Sequence, residues 1–168
     1  SSMPIRFDAN NKASGLPLPP GKTGATLEAP LNDAARYDAK GKATFDRICA
    51  KCHKMDGAGA DVGPDLATVR NRTATSLLGD ILMPSKSIAQ MYEAYVVETT
   101  SGSYEGVIGQ QTATTITLVH EQGKQDVISR SQIKQMFVSN LSAMPEDLDK
   151  EIPPAQMTDL IAYLKKPK

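Results

Sequence analysis

A mainly α-helical fold of three to five helices, interrupted by a small antiparallel β-sheet, is what this sequence predicts. Three observations carry the prediction. Apolar residues recur at helical spacing near both ends of residues 37–168. A block at about 94–131 is rich in β-branched residues and punctuated by turn signals. Between them, Cys49-Ala50-Lys51-Cys52-His53 places two thiols and an imidazole at i, i+3 and i+4 on one helical face.

Residues 1–36 read as an extended arm or linker. Pro17, Pro19, Pro20 and Pro30 lie among glycines and small polar residues without either periodicity. Residues 37–168 read as one domain. From Tyr37 to about Lys54 the pattern is helical, with Ala43, Phe45, Ile48 and Cys49 on the apolar side. A glycine-rich loop, Asp56 to Leu66, then has to wrap something closely. Thr73 to Met83 predicts a second helix, with Leu77, Leu78, Ile81 and Leu82 on one side and Pro84 as its stop.

Within 94–131, Tyr95 to Val97, Val107-Ile108, Ile116 to Val119 and Val127-Ile128 predict four strands in an antiparallel meander. Ile133, Met136, Phe137 and Leu141 predict a return to helix. A loop at Ser142 to Leu148 precedes a terminal helix from Pro154 to Lys166. Met157, Leu160, Ile161 and Leu164 form its stripe, with proline in its first turn and lysines at its end.

Composition excludes several functions. The 19 basic and 19 acidic residues are interspersed, so no basic stripe points to nucleic acid and no acidic tract to a cationic partner. No apolar run approaches the roughly 20 residues of a membrane span. Neither an acid–base pair nor a nucleophile for catalysis is evident.

The Cys-x-x-Cys-His run is the attachment motif of a c-type haem. Its thiols add across the haem vinyl groups, and its imidazole binds iron. A zinc site would want four ligands, and this chain has only two cysteines and one other histidine, His120. The expectation is one haem c, covalent through Cys49 and Cys52, with His53 on the iron. Such attachment takes place outside the cytoplasmic membrane, so a periplasmic or otherwise exported protein is expected, its signal peptide absent from this sequence.

Seven methionines and His120 could supply a second axial ligand. Met55 follows His53 too closely to reach the opposite side of the ring. Met157, Met91 and Met136 read as core, Met3 lies in the arm, and His120 reads as a strand residue. Met83 and Met144 remain, each followed by proline. Met144 is favoured because its loop is free to reach over a haem edge; Met83, at a helix end, is the alternative.

With Gly41, Phe45, the haem motif, Gly63-Pro64-Asp65-Leu66, Met144-Pro145 and Asp159-Leu160-Ile161-Ala162-Tyr163-Leu164, the chain resembles a class I cytochrome c from about 38 to 166. The long His53–Met144 separation, bracketed by Leu82-Met83-Pro84-Ser85 and Ser142-Ala143-Met144-Pro145, is similar to the haem-binding domain common in planctomycete and verrucomicrobial proteins. The resemblance implies that the Pro64 carbonyl accepts a hydrogen bond from His53. It implies that Arg70 and Arg72 pair with haem propionates, and that Phe45 and Tyr163 meet where the first and last helices cross.

A His/Met haem implies an electron-transfer protein rather than an enzyme, either a soluble carrier or the electron-accepting domain of a larger dehydrogenase. Its partners would be redox proteins: a dehydrogenase as donor, an oxidase or another cytochrome as acceptor. A haem enzyme or gas sensor with a displaceable sixth ligand is the alternative. The β insertion is expected either to dock a partner or to cover a haem edge.

Overall fold

The computed structural model describes residues 36–167, together with Arg6–Phe7 (β1) and Ala13–Ser14 (β2), which pair antiparallel. The remainder of the arm expected over 1–36 lies outside the described residues.

Residues 36–49 form one helical rod, α1, with wide turns at Arg36–Gly41 and Phe45–Cys49 around α-helical Lys42–Thr44. It ends at the haem motif. A tight hairpin follows, Lys54–Met55 (β3) against Ala58–Gly59 (β4), turned by Asp56 and Gly57 at φ 51° and 85°. An Asp-Gly pair suits such a turn because both of its central residues need positive φ. Helix α2 (Ala74–Leu82) starts at Thr73, whose hydroxyl accepts the N–H of Ser76 at 3.1 Å. It buries Leu77, Leu78, Ile81 and Leu82. A short α3 (Leu148–Glu151) leads into α4 (Pro154–Leu164).

In α4 the predicted stripe is buried, and so are Thr158, Asp159, Ala162 and Tyr163. Burial is wider than one stripe because α4 packs along the start of α1 and also meets α2. At the crossing, a Cβ on Gly41 would stand 2.2 Å from the Asp159 carbonyl oxygen and 2.6 Å from Tyr163 Cβ. Only glycine lets the two backbones come this close. Phe45 and Tyr163 meet one turn on, ring centroids 5.4 Å apart and tilted by 49°.

The expectation of a mainly α fold is overturned: helix accounts for 37% and strand for 29%, so neither dominates. The main reason is the size of the inserted sheet. Ala94–Thr99 (β5), Gly102–Gln111 (β6), Thr115–His120 (β7) and Lys124–Ser129 (β8) form the meander. A fifth strand, Ile133–Val138 (β9), returns to pair with β5, giving the order β8-β7-β6-β5-β9. This strand stands where the sequence predicts a helix. Ile133, Met136 and Phe137 satisfy helical spacing, but pairing with β5 satisfies the backbone and overrides that local pattern. The turn into β9 is held by Thr100 N–H donating to the Gln132 carbonyl at 3.1 Å.

Strand alternation divides the labour of the sheet. One face gathers Val97, Ile116, Leu118 and Ile128, flanked by Tyr95, Tyr104, Ile108 and Ile133, into a core of its own. The other face presents Val107 and Val119, which pack on Val62 beside Cys52 and Ala60. The insertion thus sits directly against the haem motif. Met91 and Met136, expected in the core, are 82% and 40% exposed, and their neighbours Phe137, Val138 and Leu141 are exposed too.

Candidate functional site

The end of α1 delivers Cys49, Cys52 and His53 in the last turn of the rod and the one after it. His53 N–H and Cys52 N–H both donate to the Cys49 carbonyl, at 2.9 and 3.1 Å. The following loop folds back on the same backbone: Ala60 N–H reaches the Ala50 carbonyl at 2.9 Å, and Gly63 N–H reaches that of Cys52 at 2.7 Å. What the glycine-rich loop wraps is therefore the attachment motif itself.

His53 is fixed from two sides. Its Nδ1–H donates to the Pro64 carbonyl at 2.7 Å, which leaves Nε2 as the free ring nitrogen. The ring lies on Gly63, where a Cβ would come within 2.5 Å of His53 Cε1. Burial pushes the His53 pKa below its ordinary value against the opposing pull of the Pro64 bond, so the neutral, ligand-competent imidazole is favoured.

Cys49 and Cys52 are free thiols. Burial pushes Cys49 up to about 12, with a smaller push from Cys52 and an opposing one from Arg47. Burial also raises Cys52, helped by the Glu121 carboxylate from the β7–β8 turn and opposed by Lys51. Among the described residues no three or more His, Cys, Asp or Glu side chains gather as a metal cluster. His120 Nε2 instead lies 3.1 Å from Asp126 on the neighbouring strand.

The two arginines part company. Arg72 is paired with Asp80 and Ser76 on α2 and stays partly exposed. Arg70 has a side chain only 12% exposed. Its Nη2 donates to Asp56 at 3.2 Å, while its Nε and Nη1 are buried with no hydrogen-bond partner among the described residues. Buried N–H groups without acceptors are costly, and a carboxylate of a bound group would satisfy them. Asp56 itself is held below its usual range, first by Lys166 and then by Arg70. Asp56 carried no role in the sequence reading, although its Asp-Gly step is a legible turn signal.

Met83 and Met144 are both half-buried against the helical core cluster that also takes in Cys49. A hydrogen bond links their loops: Ser142 N–H donates to Ser85 Oγ at 2.9 Å. Met55 and Met157 are plain core, each 1% exposed.

A pair of thiols at the end of a helix, an imidazole oriented through Nδ1, and a guanidinium with unmet donors nearby make a site suited to covalent haem. The residues present fit that group. The comparison with known families agrees: residues 39–113 match the cytochrome c family model. No curated protein matches the chain. The matched segment holds most of α1, the haem motif, α2 and the first two strands of the insertion, and it supports a c-type cytochrome and haem-based electron transfer. No helix among the described residues is long and apolar enough to cross a membrane.

Proposed function

We propose that this chain carries single electrons through one haem c, attached at Cys49 and Cys52 and ligated by His53 and Met144. The observation that carries the reading is the 2.7 Å contact between His53 Nδ1 and the Pro64 carbonyl, beside two free thiols on the same helix end. Haem bound there supplies a one-electron ferric/ferrous couple.

The chain's own residues do the rest. Pro64 orients the imidazole and strengthens it as a ligand. Gly63 lets the loop lie flat against the ring. Arg70 offers its unmet N–H groups to a propionate. Val62, Val107 and Val119 pack beside Cys52 and keep water from that flank. Met144, in the apolar cluster, offers a thioether, which favours ferrous iron over ferric and raises the potential.

On this reading the chain works outside the cytoplasm. Its partners are redox proteins, a dehydrogenase on one side and an oxidase or another cytochrome on the other. It serves as a soluble carrier or as the accepting domain of a larger enzyme. The Met83-Pro84-Ser85 and Ser142-Ala143-Met144-Pro145 brackets support a relationship to the planctomycete and verrucomicrobial haem-binding domain.

The test is the visible spectrum of the ferric protein, wild type beside Met144→Ala and Met83→Ala. Wild type should show the weak long-wavelength band of methionine–ferric ligation, Met144→Ala should lose it, and Met83→Ala should keep it. Loss in Met83→Ala alone reverses the two methionines. A high-spin wild type without the band would bring forward an enzyme or sensor with an open site.

A further inference from the structure

Ser85 and Ser142 stand at the two ends of the β insertion and are bonded to each other. Ser142 donates its backbone N–H to Ser85 Oγ at 2.9 Å, across a sequence separation of 57. Ser142 Oγ in turn accepts the N–H of Met144 at 3.1 Å. Both contacts are partly buried, and both end on the segment that carries the methionine.

The surroundings explain why hydroxyls are needed. Ser85 sits in the 3-10 turn Pro84–Lys86, next to buried Pro84. The Met144 loop is neither helix nor strand, so its N–H groups have no ladder to join. Ser139 and Ser142 accept from Leu141 and Met144 two residues on, the short-range turn that serine favours. Those bonds shape the loop locally, and the bond to Ser85 ties it to the turn that follows α2. A methionine side chain is unbranched and flexible, so its position depends on the backbone that presents it.

We propose that Ser85 is a positioning residue for the axial methionine: through Ser142 it holds the Met144 loop closed over the haem face. The proposal rests on Met144 as the iron ligand. Removing Oγ of Ser85 leaves the Ser142 N–H without its acceptor and frees the loop to lift. The thioether then competes less well with an external ligand.

The experiment is imidazole titration of the ferric holoprotein, read by loss of the methionine–ferric band. Wild type is compared with Ser85→Ala, with Ser85→Thr, which keeps a hydroxyl, and with Ser131→Ala. Ser131 pairs with Ser129 in an exposed turn of the insertion and serves as control. Ser85→Ala should bind imidazole about fivefold more tightly, the equivalent of one neutral hydrogen bond. Ser85→Thr and Ser131→Ala should titrate like wild type. An unchanged affinity in Ser85→Ala, with the band present in wild type, overturns the role of Ser85 and leaves Met144 in place. A wild type without the band overturns both. If Ser85→Ala does not fold, amide hydrogen exchange on wild type decides. The Ser142 and Met144 amides should exchange slowly and together, and fast exchange at Ser142 overturns the proposal.

Discussion

Gln122 donates its backbone N–H to the carbonyl oxygen of Lys51 at 2.6 Å. This single bond fastens the tip of the β7–β8 hairpin to the middle of the haem motif. Gln122 reaches it with φ at 63°, a left-handed conformation that a non-glycine residue adopts at some cost. With Val107 and Val119 on Val62, it makes the insertion a cover for the Cys52 flank.

Gln122→Pro removes the donated N–H and forbids positive φ. The variant should lose more than about 1 kcal/mol of stability. Amide exchange should accelerate at Val119 and Val62, while Leu160 in α4 stays as protected as in wild type. Equal protection at Val119 in both proteins would show that the hairpin is held by something else.

Gly63→Ala and Gly41→Ala both introduce a methyl group where there is no room, with different consequences. Each should cost about 1–3 kcal/mol in urea unfolding. At position 63 the methyl group meets the His53 ring, so the Nδ1–Pro64 bond breaks and the haem spectrum and potential change. At position 41 it meets the backbone of α4, so stability falls while the spectrum stays that of wild type. A Gly63→Ala protein with an unaltered potential would argue against the ring's position on Gly63.

Asp56 makes stability depend on acid. Its native pKa is depressed below 3.8 by Lys166 and Arg70. A depressed carboxylate contributes stability that is full above the unfolded value and lost as pH falls through the native one. Asp56→Asn should therefore be less stable than wild type near neutrality. The gap should close as pH drops from about 6 toward about 2. Urea midpoints across that range check it, and a gap that is independent of pH would remove Asp56 from the acid response.

Much of the site was legible because its parts are close in the chain. Cys49, Cys52 and His53 share one face within two turns, and the stripes of α2 and α4 repeat at 3.6 residues. These patterns name their own conformation. The fold class departs from the expected one where a local pattern is ambiguous. Ile133, Met136 and Phe137 suit a helix as well as a strand, and only the free edge of β5 decides between them. Met91 and Met136 are exposed although their spacing suits a core, because apolar spacing tells which residues could be buried, not whether a partner surface faces them.

The sequence by itself determined the attachment motif, since two thiols and an imidazole at fixed local spacing can be read from a single stretch of chain. Tertiary structure alone decided which arginine keeps unmet donors, where the insertion covers the motif, and which turn the Ser142 backbone bonds to. Arg70 is buried beside Asp56, which Lys166 also pairs with, whereas Arg72 stays partly exposed beside Asp80 and Ser76. Lys51 meets Gln122, and Ser85 meets Ser142, across long stretches of chain. Contacts of that kind follow from how the sheet closes and packs, a collective outcome of many residues that no short window of sequence contains.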